Sequence, residues 1–380
     1  MKKLILISFV AILLIGLVVT GCKAPEQTTE PTPAPDTKPA PATETTQEPI
    51  RLIFASTSPE QGAEAEVTRW WIEELETRSP VPVTVDIYWA SSLAGHREMI
   101  EATQSGMADI GVSSCGIHTQ VFPMMGTLGQ IQLFNNKPVS RIMTDQWMYN
   151  EVPEAVAEFE NNNLTALFLY SLANYHILSV VPARNLAEMK GLKVRVQGPE
   201  NSTIIKAIGG VPVDMQVPEI YDGMLKRITD GTLCDADLAT RFKLEEVGKY
   251  FIRIGVGSNP VMTAFMNLDT WGSLPPEVQQ VLVELRAEFP VRYCEAISRD
   301  MKEITFQIFE GAGVEIIDLP AEDMETIKNH PDIVAIEDNW AANVAQNKTG
   351  VSVDRLEEIR QLFLQKLEEN NTLYPDTFEP

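Results

Sequence analysis

The chain has 380 residues, 53 acidic against 30 basic side chains, a formal net charge of −23 and a hydrophobic fraction of 44%. That fraction supports a real core, and the length suits one large domain or two ordinary ones. The acidic excess argues against nucleic acid or anionic membrane surfaces as partners, while leaving room for one local basic site that takes an acidic ligand.

Lys2 and Lys3 precede an apolar run from Leu4 to Val19, followed by Thr20-Gly21-Cys22. A short basic segment, one apolar stretch and small residues make an export signal. The run is shorter than the roughly 20 residues of a spanning helix. Val19-Thr20-Gly21-Cys22 resembles a bacterial lipobox, which implies removal of residues 1–21 and lipid on the Cys22 thiol. The protein is then expected outside the cytoplasm, periplasmic or at the cell surface, anchored to the membrane. Residues 22–49 read as a tether: positions 23–49 hold seven prolines and seven threonines and almost nothing to bury.

The body opens with a strand at Ile50–Ala55. Ser58-Pro59-Glu60-Gln61 predicts a helix start, with Ser58 capping and Pro59 in the first turn, and Val67, Trp70, Trp71 and Leu75 supply an apolar face. Val83, Val85, Ile87 and Trp89 alternate with polar neighbours, the period of a strand. A helix over Glu98–Gln104 and a strand over Asp109–Ser113 follow. Further strands are expected at Leu164–Tyr170, Lys193–Gln197, Val211–Met215, Asp235–Ala239 and Met262–Leu268. Helices are expected at Asn201–Ile208 and Pro218–Ile228. A long helix from Pro275 toward Glu310 should kink at Pro290, and Glu322–Glu369 is mostly helical. Strand–helix alternation of this spacing means an α/β fold with parallel crossovers, and two such units suit a hinged pair of domains with a cleft.

Chemistry is scarce. The chain has no G-x-G-x-x-G, P-loop, G-x-S-x-G or H-E-x-x-H motif. Cys115 and His118 form one C-x-x-H pair without a second ligand pair nearby, which argues against a metal. Cys115, Cys234 and Cys294 are too few and odd for a disulfide framework, though one bridge stays open. A hydrolase using Ser113 or Ser114 with His118 is an alternative from another class. A ligand-sensing module for a signalling partner is a second alternative. No catalytic residue and no cofactor are assigned.

One segment stands out. Lys193, Arg195 and Gln197 share one face of a strand whose other face carries Val194 and Val196. Arginine offers a planar fork that matches a carboxylate with two parallel hydrogen bonds, although a strand arginine is commonly a surface residue. The run Leu186-Ala187-Glu188-Met189-Lys190-Gly191-Leu192-Lys193-Val194-Arg195 continues through Ile208-Gly209-Gly210-Val211-Pro212-Val213-Asp214-Met215, Pro218-Glu219-Ile220-Tyr221, Asp230-Gly231 and Glu245-Glu246-Val247-Gly248-Lys249-Tyr250. With Ser92-Leu93-Ala94-Gly95 and Gly106-Met107-Ala108-Asp109 upstream, it resembles the substrate-binding proteins of tripartite ATP-independent periplasmic (TRAP) transporters, of the DctP type, over residues 50 to about 315.

The resemblance implies two periplasmic-binding-protein-like (class II type) domains with a hinge, a cleft and a long helix spanning both. Residues 50–173 with about 260–299 would form the first domain; 174–259 with about 300–370, including C-terminal helices, would form the second. It implies an organic acid whose carboxylate meets Arg195, delivered to a permease with small and large membrane subunits. By position, Ser56, Ser114, Tyr175, Cys234 and Asp235 are the other cleft candidates. Sialate-type members carry a second arginine where Tyr175 stands and a Gln-Glu-Asn where this chain has Thr232-Leu233-Cys234. These departures suggest a monocarboxylate or keto acid, or an acid with an apolar or aromatic tail.

Overall fold

The strand that starts the body forms where β-branched and aromatic residues alternate with exposed ones. β1 (Ile50–Ser56) buries Leu52 and Phe54 and leaves Arg51 exposed. The computed structural model describes residues 48–134, 137–257, 261–347 and 349–375, so the expected signal, lipid site and most of the tether lie outside the described residues.

After β1 come α1 (Ala63–Arg78), β2 (Val83–Tyr88), α2 (Met99–Gln104), β3 (Ile110–Ser114), two short 3₁₀ turns at Cys115–Ile117 and Met125–Gln130, α3 (Pro138–Glu151), α4 (Pro153–Glu160) and β4 (Leu164–Ser171). The middle of the chain holds β5 (Tyr175–Ser179), α5 (Leu186–Met189), β6 (Lys193–Val196), α6 (Pro199–Ala207), β7 (Val211–Asp214), α7 (Ile220–Leu225), β8 (Gly231–Cys234), α8 (Ala236–Arg241) and β9 (Tyr250–Val256). Then follow β10 (Val261–Asn267), α9 (Leu268–Ser273), α10 (Pro276–Asp300), α11 (Phe306–Gly311), β11 (Glu315–Asp318), α12 (Ala321–Lys328), α13 (Pro331–Asp338), α14 (Trp340–Gln346) and α15 (Val353–Leu373).

The strands form two sheets, ordered β2-β1-β3-β10-β4 and β11-β9-β5-β8-β6-β7. Pairing is mixed rather than all parallel. β1 is parallel to β2 and β3, but β10 runs antiparallel to β3 and β4, and β5 antiparallel to β8 and β9. The reason is connectivity: β10 returns to the first sheet from the second, and so enters from the opposite end. The connections β4 to β5, β9 to β10 and α10 to β11 each pass from one sheet's lobe to the other. α10 packs on α1 and β4, while the π-helical turn Met301–Thr305 and α11 that continue it reach α8.

Aromatic stacking fixes the first lobe around that helix. Phe289 lies face to face with Phe168, ring centroids 3.7 Å apart, and Trp71 meets Phe168 edge-on at 5.3 Å. All three are fully buried. Truncation of such a ring costs about 3–5 kcal/mol.

Several expectations are corrected. α1 starts at Ala63, with Gly62 as N-cap at φ 87°, and not at Ser58. Residues 56–58 are held in a turn instead: Ser58 N–H donates to Ser56 Oγ at 3.1 Å, and Ala90 N–H donates to the Ser58 carbonyl at 2.8 Å. Asp235–Ala239 is not a strand; β8 ends at Cys234, and Asp235 caps α8 by accepting from Leu238 N–H at 2.7 Å. The long helix is interrupted before Glu310: α10 contains Pro290 and ends at Asp300, where the π turn Met301–Thr305 leads into α11. The stretch about 300–370 divides between lobes. α13 packs on α6, but α14 and α15 return to the first lobe, where Leu356, Ile359, Phe363 and Leu367 join a core with Phe122 and Tyr149.

Candidate ligand-binding cleft

A cavity of about 490 Å³ opens between the two sheets' lobes, a volume suited to a small organic molecule. The first lobe supplies Thr57, Ser58, His96, Ser114 and Gln130; the second supplies Tyr175, Arg195, Gln197, Glu200 and Arg241. The walls are mixed, with Leu172, Val217, Phe242 and Met262 among the polar groups.

Arg195 reaches the cavity because of strand alternation. Val194 and Val196 point into the second-lobe core, so Arg195 takes the other face. β6 is parallel to both neighbours, with Arg195 opposite Val213 and Thr232. Nε donates to the Met215 carbonyl at 2.8 Å, and Nη2 donates to Gln197 Oε1 at 3.4 Å. Gly198 (φ 89°) then turns the chain, and Pro199 opens α6. Arg195 is only 3% exposed, and burial pulls its pKa down. Among the described residues no carboxylate lies within ion-pair distance of it. A buried guanidinium without a counter-ion is a site for an anion.

The other cavity-facing basic groups differ. Arg241 Nε lies 2.7 Å from Asp237 Oδ2, and Nη1 lies 3.9 Å from Glu64 Oε2 on α1. Arg97 Nη2 lies 3.9 Å from Asp214 Oδ2, and both are exposed. His96 places Nδ1 3.2 Å from Ser113 Oγ, and burial, with lesser contributions from His118 and two arginines, pushes its pKa down to about 4. It is therefore neutral at ordinary pH.

Three sequence candidates line the cavity: Arg195, Tyr175 and Ser114. Burial, then the Asp235 charge, pushes the Tyr175 hydroxyl above its usual range, so it stays a neutral donor. Ser114 Oγ accepts from Gly116 N–H at 3.0 Å. Ser56, Cys234 and Asp235 are not brought to the cavity. Ser56 closes its local turn, Cys234 is fully buried in the core, and Asp235 caps α8. Burial and the neighbouring Asp237 raise the Asp235 pKa. Cys115, Cys234 and Cys294 are free and buried, and burial raises all three thiols. No cluster of three or more His, Cys, Asp or Glu side chains suited to a metal occurs among the described residues.

The serine–histidine pair does not form. His118 Nε2 lies 2.8 Å from the His96 carbonyl oxygen, while Ser113 hydrogen-bonds His96. Cleft residues missed from the sequence are Glu64, His96, Gln130, Glu200 and Arg241. Glu200 stood one position past the Gly198-Pro199 turn signal; the others carry no local signal.

Residues 54–335 match the family described as bacterial extracellular solute-binding protein, family 7, DctP. The chain belongs to this family. The family consists of extracytoplasmic solute-binding proteins, and the chain is a DctP-type TRAP substrate-binding protein of two α/β lobes. Among curated relatives it is similar to the 2,3-diketo-L-gulonate-binding periplasmic protein YiaO of Escherichia coli K12, 24% identical over 64% of this chain and 73% of that protein. Among solved structures it is similar to a Bordetella pertussis extracytoplasmic solute receptor binding pyroglutamic acid: 15% identity, TM-score 0.71, covering 82% of this chain and 99% of that one. A marine metagenome TRAP solute-binding protein specific for aromatic acid ligands gives 20% identity and TM-score 0.71 over 84% and 99%. None of the DctP-type chain's described helices is long and apolar enough to cross a membrane.

Proposed function

We propose that this protein captures a small organic acid with one carboxylate, which Arg195 grips, and delivers it to a TRAP permease of small and large membrane subunits. The observation that carries the reading is charge pairing around the cleft. Arg241 and Arg97 face carboxylates of the protein, His96 is neutral, and Arg195 alone of the lining arginines has no such partner among the described residues. One uncompensated cation matches one carboxylate; a second would meet Glu64, Asp214 and Glu200 without a counter-charge. The structurally similar receptors named for pyroglutamic acid and for aromatic acids are consistent with an acid of this size.

Capture works by closure. The lobes are joined through the connections described above, and the ligand touches both only when they meet. It therefore shifts the hinge equilibrium by its differential affinity for the closed form. Ser114 from the first lobe and Tyr175 from the second complete the binding surface around Arg195. Lipid on Cys22 and the 22–49 tether would keep the receptor near its permease.

Native mass spectrometry of the purified protein tests the reading, because tight binders retain ligand. The expected result is a bound acid in the wild type that is lost from a folded Arg195→Ala variant. An acid retained by Arg195→Ala, or a bound ligand with no acidic group, would overturn it.

A further inference from the structure

Cations without a carboxylate partner gather at one end of the second sheet, away from the cleft. Lys190 and Lys206 flank the turn into β7, where Gly191 N–H donates to the Gly209 carbonyl at 2.8 Å and Gly209 N–H to the Lys206 carbonyl at 2.9 Å. Val211 then stands opposite Lys193 in register, and Lys193 Nζ donates to the Arg227 carbonyl at 3.1 Å. Among the described residues Lys190, Lys193, Lys206 and Arg227 make no ion pair. The carboxylates nearby are engaged: Glu188 accepts from Arg184 N–H and the Asn185 amide, Asp222 pairs with Lys226, and Asp230 accepts from Lys193 N–H.

The same end exposes apolar side chains. α7 closes with Arg227 N–H donating to the Met224 carbonyl at 3.1 Å and Ile228 N–H to the Gly223 carbonyl at 2.9 Å. This ending puts Arg227 at φ 58°, where glycine is the usual occupant, and it commonly tucks the next apolar residue against the helix. Here Ile228 is 52% exposed, Leu225 57% and Val211 47%. Leu225-Lys226-Arg227-Ile228 is a row of four exposed residues, two basic between two apolar. None of them lines the cleft.

We propose that this end of the second lobe rests on an anionic lipid surface. Leu225, Ile228 and Val211 enter the headgroup layer, and Lys190, Lys193, Lys206 and Arg227 meet the lipid phosphates. The chain's net charge of −23 opposes such a surface only from a distance. At contact the local groups decide, because at physiological salt exposed charges more than about 8 Å away are largely screened. Each basic group near an anionic leaflet adds attraction, and lysine and arginine stems cover apolar surface while their heads stay wet. The choice of a bilayer as occupant rests on the anchor reading above. Residues 22–47 separate the expected lipid on Cys22 from the body, a reach of roughly 90 Å at full extension. The anchor thus holds a bilayer near this face at high effective concentration, so weak contacts suffice. β6 begins at this face and leads into the cleft at its other end, so a receptor resting here keeps its cavity clear of lipid.

An environment-sensitive fluorophore tests the contact. Cys115, Cys234 and Cys294 are buried, so the label goes to an introduced Ile228→Cys in the full lipidated chain; Leu373→Cys, at an exposed first-lobe position, is the control. The chain is mixed with excess vesicles of phosphatidylcholine alone or of equal parts phosphatidylcholine and phosphatidylglycerol. Emission at 228 should rise at least about twofold on the anionic vesicles and not on the neutral ones, with the control unchanged. Adding Arg227→Gly and Lys206→Ser should at least halve the rise. Glycine suits the backbone at 227, so the fold survives, which circular dichroism checks. No rise at 228, an equal rise on neutral vesicles or at the control, or a rise that survives the substitutions would overturn the proposal. A rise confined to protein-bearing native membranes would assign the face to an acidic protein instead. Mass spectrometry reports the lipid on Cys22 separately, so failure of the anchor reading and failure of this face are told apart.

Discussion

Arg195 and Arg241 line the same cavity from the same lobe, yet only one brings its own counter-ions. Arg241 sits against Asp237 and Glu64, and through Glu64 it ties α8 to α1 across the lobes. Arg195 is equally hidden but is held in place by a backbone carbonyl and an amide oxygen. A buried charge paired inside the protein builds structure; one positioned by neutral acceptors is left to bind something else.

Substitutions can break this contrast. The largest effect is expected at Arg241. Arg241→Ala strands Asp237 and Glu64 in a buried site and should cost about 3–5 kcal/mol of stability, read by chemical denaturation. A loss below about 1 kcal/mol would show that the network is not structural. Arg195→Ala should do the reverse. Stability should change by less than about 1 kcal/mol, while acid binding weakens by about 2 kcal/mol, roughly 30-fold.

His96 sharpens the comparison by adding a third cation on demand. Its pKa is pushed down to about 4 from an ordinary 6.5. Between those values the unfolded chain binds more protons than the folded one. Stability from this group is therefore full above about pH 6.5 and is lost as pH falls toward 4. The slope peaks at about 1.2 kcal/mol per pH unit midway between the two values, and His96→Gln should flatten it in denaturation curves taken from pH 7 to 4.5. An unchanged slope would remove His96 as the cause. The smallest effect belongs to Arg97 and Asp214, an exposed pair at 3.9 Å. Asp214→Asn should alter ligand affinity by less than about 1 kcal/mol; a larger change by calorimetry would make this pair a principal closing contact.

The alternation of Val194, Arg195 and Val196 was legible in the sequence and put Arg195 on the face opposite the core, but its burial at the cavity wall was not, and only the family resemblance made it a candidate for the ligand. β3, β6 and β7 were legible for the same reason, a short apolar period bounded by turns. β5 and β9 were not, since Tyr175–Ser179 is short and Tyr250–Val256 follows a turn-rich stretch without a strong period. Asp235 misled because an apolar run through it looks like a strand, whereas its carboxylate ends β8 by capping α8. Gln130 with Glu200, and Glu64 with Arg241, lie 70 and more residues apart. Such pairs exist only once two lobes face each other, and no local pattern announces them.

The central claim is that Arg195 supplies the charge that binds the ligand's acid group. Isothermal titration of the acid recovered from the purified protein into wild type and Arg195→Ala tests it most directly. The account predicts affinity at least about 30-fold weaker in a variant that melts near the wild-type temperature. Equal affinity in the two proteins would contradict it.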